Sequence, residues 1–510
     1  MRRSASQRSV ADLVFEGGLL FLALRVFSRV LGFAAFAVKA RVLTPHDFGL
    51  IGTLALVTGF VGILGAHGVF DRLVRMPEMT EADIHRAWTL NALFNLGIAA
   101  TLVVLSEPAA RFLREPDLAA ALRVTALRPI ITALASPIHV HWARALRFRP
   151  MVLFAMLTRL MDVVLSTAGA VILRSYWGLL YGTLLAIACQ TVLTYVLLPF
   201  LPRPRLDKSG AFLAFSLWSL VHSLAKYFAM SADELIVRRR SDTGMFGLYH
   251  VSRDLSRIFV SELVLPVAEP LLAGLARIFT LGAAHFRAAV MKAIAAAALV
   301  SAAVGFGMSA TAAEAVAVVL GGRWQGSVPI LQVIALGVAA LAVAELHRPV
   351  MVAFGRIQIS TLLWVGRAVV QIAVSVVGFA LGGAHGVAAA FSLSCTMLLF
   401  VDYAVVFRSL GGRAATAFAV LWRPILAGAV MLAALFLLPW PTGWPVLAAA
   451  FAKIAVGAAT YGAVVMLTWR AAGRPQGGES VLLERLPAPV RQRITRIIGA
   501  PAAPAVEPSA

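Results

Sequence analysis

Of the charges inside stretches of this chain that are otherwise apolar enough to sit in a bilayer, five cations and two carboxylates could do chemistry. Arg25 and Arg29 occupy the first stretch, Lys226, Asp233 and Glu234 the seventh, and Arg253 and Arg257 the eighth. Arg25 and Arg29 stand i, i+4 apart, as do Arg253 and Arg257, so a helix places each pair on one face. A charged side chain at bilayer depth costs about 2.5–3.5 kcal/mol on insertion scales, and such residues normally face a protein interior or a watery cavity. Two readings are open for the first pair. The arginines snorkel to headgroups from the early turns of their helix, or they line a positively charged cavity for an anionic passenger. Asp233 and Glu234, near the end of their stretch, are candidates for ion coupling, because a carboxylate beside arginines can exchange a proton as a cavity opens. The competing reading is an ion pair of Asp233 with Arg238.

The elements that must position these residues are membrane helices. The chain has 510 residues, 60% of them hydrophobic and 14% charged, with a mean hydropathy of +0.86. Repeated apolar runs of ~20 residues exclude a soluble enzyme and predict an all-α polytopic membrane protein. About 14 transmembrane helices are expected, over 17–38, 48–68, 87–106, 118–140, 151–173, 176–200, 211–236, 245–272, 287–309, 328–347, 357–380, 384–407, 422–440 and 444–469. Eight of the ten tryptophans lie near these ends, as an interfacial belt requires. The segment 310–327 is too polar to be a further span and reads as an outer interfacial helix ending at Gly321-Gly322. The basic N-terminus reads as a cytoplasmic tail before a retained helix. The two cysteines, Cys189 and Cys395, both fall inside spans and offer no disulfide framework.

Lys and Arg set the orientation. With the N-terminus inside, the inner segments carry 25 of the 45 Lys and Arg and the outer loops 9, which places both termini in the cytoplasm. The formal net charge of +21 is thus largely a topology signal, and no nucleic-acid partner follows from it. One outer loop, Arg238–Arg240, breaks the pattern, and a weak internal repeat accounts for it. VKARVLTPHDFGL (38–50) aligns with VRRRSDTGMFGL (237–248) after a one-residue gap. A parallel repeat of this kind relates two bundles about an axis along the membrane normal and predicts a central site between them. The expected organisation is an N-terminal lobe over 1–200, a Pro-rich linker at 201–210, and a C-terminal lobe over 211–407. Two extra spans follow over 422–469, then a cytoplasmic tail over 470–510. In the tail, Val490, Ile494, Ile497 and Ile498 form an apolar stripe opposite Arg491, Arg493 and Arg496 that suits an anionic lipid surface, or a solvated tail.

Catalytic machinery is not apparent. There is no Gly-rich phosphate loop, nucleophile elbow or metal-ligand spacing, and His139 and His141, two residues apart, point to different helix faces. No catalytic residue, metal or cofactor is assigned. Arg159 with Asp162, spaced i, i+3, reads as a self-satisfying ion pair. Arg128-Pro129 marks a kink, and Asp402 reads as a cap on the twelfth span. Arg25, Arg29, Lys226, Arg253 and Arg257 outnumber the acids near them. Buried cations in excess call for something anionic or watery. A lipid-linked pyrophosphate carrying a glycan fits, because an arginine fork binds phosphate oxygens bidentately.

RVLTPHDFGLIGTLALVTGF, RALRFRP (144–150) and DELIVRRR…GMFGLYHVSRDLSRI (233–258) resemble the bacterial oligosaccharide-lipid and polysaccharide flippases. These are the lipopolysaccharide and exopolysaccharide biosynthesis exporters of the multidrug/oligosaccharidyl-lipid/polysaccharide superfamily. The resemblance runs to about residue 470, and Asp233 sits at the family's D-x-L-I position. It implies two pseudo-symmetric six-helix lobes plus two C-terminal helices, alternating access, and ion-coupled movement of an undecaprenyl-pyrophosphate-linked saccharide across the inner membrane. The implied partners are the lipid-linked glycan, membrane lipids, and a glycan polymerase or other pathway proteins. Two alternatives stay open on sequence. One is a cation-coupled drug or metabolite exporter on the same scaffold, and the other a membrane polymerase or ligase of the same glycan pathway.

Overall fold

Inside a bilayer a backbone amide finds no water, so a spanning segment must satisfy its own N–H and C=O groups, and an apolar run of this length does so as a helix. The computed structural model describes residues 10–63, 70, 73, 76, 79–145, 147–197, 200–206, 217–279, 282–441, 443–474 and 479. Side chains at 10–16, 138–139, 217–219, 261–273 and 276–277 fall outside that description, as do the tail residues Val490–Ile498. Among the described residues every regular element is helical, and the expected spans fall on helical segments. Nine of these described helices are long and apolar enough to cross a membrane.

The chain divides into two compact units, Met1–Leu224 and Ala225–Ala510, the division falling inside a helix. The first unit holds α1 (Val10–Val42), α2 (Pro45–Gly62), α3 (Glu81–Leu113), α4 (Asp117–Thr125), α5 (Leu127–Ala133), α6 (Ile138–Arg144), α7 (Phe148–Leu173) and α8 (Tyr176–Leu197). The expected fourth span is a broken helix. It breaks at Ala126, ahead of Pro129, which has no N–H to continue the ladder and sits in the first turn of α5. α7 and α8 touch backbone to backbone. A Cβ on Gly178 would lie 2.1 Å from the Gly169 carbonyl oxygen, and one on Gly182 would lie 2.3 Å from that of Leu165. Gly178 and Gly182 form a G-x-x-x-G pair, the device that brings membrane helices close where no hydrophobic force drives them together.

The second unit holds α9 (Leu217–Arg240), α10 (Thr243–Phe279), α11 (Ala283–Ala310), α12 (Ala312–Ala315), α13 (Val328–Ala344), α14 (His347–Ala353), α15 (Ile357–Ser409), α16 (Ala415–Leu437) and α17 (Val446–Ala471). α13 is apolar on all sides and is buried almost throughout, packing on α10, α11 and α15. Hydroxyl groups pin it to its neighbours: Ser301 donates to the Ala339 carbonyl (2.7 Å), Ser392 to that of Val333 (2.7 Å), and Tyr403 to that of Val343 (2.6 Å). α15 carries the expected eleventh and twelfth spans as a hairpin. Gly383 turns it with φ +56°, a conformation other residues rarely adopt, and the backbones of Gly378 and Gly386 touch. Between α11 and α13 the chain makes only a short helical run that stops at Gly321, φ +96°, before a tight turn over Gly322–Ser327. That matches the expectation that 310–327 does not span.

The repeated motif is a capped corner in both copies. In the first, Thr44 accepts from the Asp47 amide (3.2 Å) while Asp47 accepts from the Thr44 amide (3.0 Å), with Pro45 opening the helix. The other Asp47 oxygen accepts from the Tyr176 amide (3.1 Å) and so ties the start of α2 to the start of α8. In the second copy Asp242 plays the cap, accepting from the Met245 amide at 2.9 Å. Helix pairing repeats as well. α1 runs parallel to α7, with Gly17 on Phe148, Gly32 on Arg159 and Lys39 on Ser166. α9 runs parallel to the first arm of α15, with Lys226 over Trp364 and Arg240 over Phe379. Asp47→Ala loses the cap and the tether together. Its expected cost is about 2 kcal/mol, one contribution from each, read as a lowered thermal midpoint of the purified protein with Asp47→Asn intermediate.

Candidate functional site

In the first unit the charges gather along α1. Arg25, Arg29, Gly32, Phe36 and Lys39 follow helical spacing and fall on one side, while Leu19, Leu22, Val26 and Val30, all more than half exposed, fall on the other. Arg25, Arg29 and Lys39 are half-buried. Lys39 donates to the Ser166 hydroxyl at 2.9 Å. From α7, the Arg159 guanidinium reaches α1 at Gly32, within 3.1 Å of where a Cβ would stand. Arg159 also bonds Asp162 at 3.0 Å, the expected i, i+3 pair. Lys39 and Arg159 thus meet at the α1–α7 seam beside Asp162, on the side of α1 that also carries Arg25 and Arg29. The site's positive character resides here, on a helix otherwise built for lipid.

The second unit places its charges differently. Asp233, with no exposed surface, accepts from the Tyr249 hydroxyl (2.7 Å) and from the Arg253 guanidinium. Arg253 is 1% exposed; its second nitrogen donates to the Met230 carbonyl, and its face lies 4.5 Å from the Phe391 ring centroid. The partner shown for Asp233 is therefore Arg253 on the next helix, where sequence alone left Arg238 as the alternative. Arg257, one turn beyond Arg253, is exposed. Lys226 is half-buried with its ammonium 5.5 Å from the Trp364 ring centroid. Asp402 does not cap the end of its helix. It is buried and holds Arg367 at 2.5 Å across the α15 hairpin. With Asp233 and Asp402 taking up Arg253 and Arg367, the excess of buried cations expected in this half is largely neutralised.

Lys39 and His250 escaped the sequence reading. His250, buried on α10, sits between two acids, with Nδ1 2.8 Å from Glu234 and Nε2 3.5 Å from Asp254. An imidazole whose two nitrogens both face carboxylates donates through both only when it carries its second proton. The signal in the sequence was the i, i+4 spacing of His250 and Asp254. Its meaning depended on Glu234, sixteen residues away on another helix. The described residues include no cluster of three or more possible metal ligands, and the His139 side chain lies outside them.

Comparison with known proteins agrees with this architecture. The family model described as polysaccharide biosynthesis protein matches residues 38–329. The lipopolysaccharide biosynthesis protein WzxC of Escherichia coli strain K12 is 21% identical over 403 residues, 77% of this chain and 81% of that one. The succinoglycan biosynthesis transport protein ExoT of Rhizobium meliloti strain 1021 is 23% identical over 343 residues, 66% of this chain and 67% of that one. Among solved structures, the lipid II flippase MurJ in an inward closed conformation superposes with a TM-score of 0.70 at 13% identity, covering 89% of this chain and all of that one. An inward-facing multidrug resistance MATE family transporter of the MOP superfamily superposes at 0.61, also at 13% identity, covering 77% of this chain and 98% of that one. The match covers more than half of the chain, and both capped corners fall inside it: the chain belongs to the polysaccharide biosynthesis protein family, a multi-pass membrane protein with the fold seen in the MurJ flippase and MATE transporter structures.

Proposed function

We propose that this protein is a flippase that moves an undecaprenyl-pyrophosphate-linked oligosaccharide, an O-antigen or exopolysaccharide repeat unit, across the bacterial inner membrane by alternating access, without catalysing a reaction. The observation that carries the reading is the α1–α7 seam, where Arg159 with its partner Asp162 reaches the side of α1 that carries Arg25, Arg29 and Lys39. A cationic stripe on a lipid-embedded helix suits a pyrophosphate and disfavours a cationic drug. That choice matters because flippases and multidrug transporters share this fold. The names of the relatives, lipopolysaccharide biosynthesis and succinoglycan biosynthesis transport, support the same passenger class.

In this reading Arg25 and Arg29 are phosphate ligands of the first unit, and Lys226, Arg257 and Arg253 those of the second. Arg253 takes part only when Asp233 releases it. Asp233 and Glu234 carry the ion coupling, with His250 as the proton-exchanging group between Glu234 and Asp254. Reconstituted proteoliposomes should translocate a fluorescent polyprenyl-pyrophosphate saccharide, and should neither efflux cationic dye nor elongate glycan. Dye efflux without lipid movement would assign the protein to drug export, and chain elongation to polymerisation. Under an imposed proton gradient, His250→Asn should reduce gradient-driven flux to the level seen without a gradient; unchanged flux would remove His250 from coupling. The proposed orientation has both termini in the cytoplasm. Single cysteines at Ser175 and Gly443 should label from outside in intact cells, and one at Ser209 only after permeabilisation.

A further inference from the structure

The segment that follows α8 carries a pattern that passenger binding does not use. Phe200–Arg205 reads F-L-P-R-P-R, and a residue before a proline is pushed into extended backbone. Pro202 and Pro204 have no N–H, so over 202–205 only Arg203 and Arg205 can donate from the main chain. Both donate to side chains of α3. The Arg203 amide donates to His85 Nδ1 at 3.0 Å, and the Arg205 amide to the Thr89 hydroxyl at 2.8 Å. The spacings match, since amides two apart on an extended chain lie about 6.5 Å apart and residues four apart on a helix rise about 6 Å. The segment lies along α3 as a strap, its register set by two acceptors.

One of those acceptors is lost when it takes a proton. A backbone N–H only donates, so His85 Nδ1 is unprotonated here and the imidazole is neutral, with its proton on Nε2. Phe200 stacks on this ring at 5.1 Å and 18°, and His141 of α6 meets the same phenyl edge-on at 6.4 Å. Thr89 cannot switch in this way, because its hydroxyl proton is committed to the His85 carbonyl (2.8 Å) and only a lone pair faces Arg205. A second proton on His85 would set one N–H against another. Among the charges on the surrounding elements, Asp83 pairs with Arg86 (2.6 Å) and Arg144 of α6 donates to the Leu73 carbonyl (2.9 Å). Glu81 stands one turn before His85, and an imidazolium there would repel the strap's own Arg203 and Arg205.

We propose that Phe200–Arg205 is a pH-sensitive latch, closed on α3 while His85 is neutral and released when His85 gains its second proton. In sequence the strap leads from α8 toward α9, inside which the second unit begins. Release therefore lengthens the tether between the units by the residues between Leu197 and Arg205. In the orientation proposed above, the latch reads the acidity of the cytoplasmic side.

Amide hydrogen exchange of the full chain in detergent tests the proposal, with each rate referred to that of an unprotected amide at the same pH. In the wild type the Arg203 and Arg205 amides should exchange about five-fold faster on this scale at about pH 5.5 than at about pH 7.5, the effect of one hydrogen bond across the range in which histidine changes charge. His85→Asn, whose carboxamide oxygen can take the place of Nδ1 and does not titrate, should exchange slowly at both pH values. His85→Lys, a cation with no acceptor, should exchange fast at both. Equal wild-type protection at the two pH values overturns the proposal. So does pH-dependent exchange in His85→Asn, which assigns the switch to His141, and so does slow exchange in His85→Lys, which shows that Thr89 and the prolines hold the strap unaided. None of these outcomes depends on flux, so failure here is distinguishable from failure of the flippase reading.

Discussion

Arg29→Ala is expected to lower translocation of a polyprenyl-pyrophosphate saccharide more than ten-fold per inserted molecule, with membrane yield near that of the wild type. Arg29 sits half-buried on α1, in register with Arg25 and one turn before Gly32, where Arg159 arrives from α7. A charge-assisted bidentate contact to phosphate is worth about 1.5–3 kcal/mol, and about 1.4 kcal/mol is a factor of ten. Arg29→Lys should restore only part of the flux, because an ammonium keeps the charge and loses the planar fork. If Arg29 merely snorkels to headgroups, the ordering reverses: lysine is then fully adequate, and alanine lowers yield instead of flux. Measuring flux and protein level in both variants separates the two. Normal flux per molecule with alanine would remove Arg29 from the phosphate site.

The second large effect is on stability and separates two arginines that look alike in sequence. Arg253 and Arg257 stand one turn apart on α10, yet Arg253 is buried against Asp233 and Arg257 is exposed. Removing one partner of a buried pair strands the other charge, at about 3–5 kcal/mol. Arg253→Met should therefore sharply reduce the thermal midpoint and the yield of folded protein. Arg257→Met should shift stability by no more than about 0.5 kcal/mol, as exposed substitutions usually do. The double change Arg253→Met with Asp233→Asn removes both charges and should recover much of the loss, leaving the Tyr249 hydroxyl beside an uncharged amide. A double variant no more stable than Arg253→Met alone would show that the guanidinium stabilises chiefly through Met230 and Phe391.

Sequence by itself determined the class of this protein, because a bilayer leaves few choices. Apolar runs ~20 residues long must become helices, and the helices stand where those runs placed them, down to the break before Pro129 and the turn that ends the non-spanning segment at Gly321. The repeat of 38–50 in 237–248 was legible too, and the structure shows what it encodes, a capped corner in each copy. So was the Arg159–Asp162 pair, whose partners lie within one helical turn. What only the tertiary structure decided was the fate of charges whose partners lie on other helices. Asp233 found Arg253 twenty residues away, Arg367 found Asp402 across a hairpin, and His250 found Glu234. Helical periodicity fixes which residues share a face, but not what that face meets. Two neighbouring arginines one turn apart could therefore end as one buried ion pair and one exposed cation.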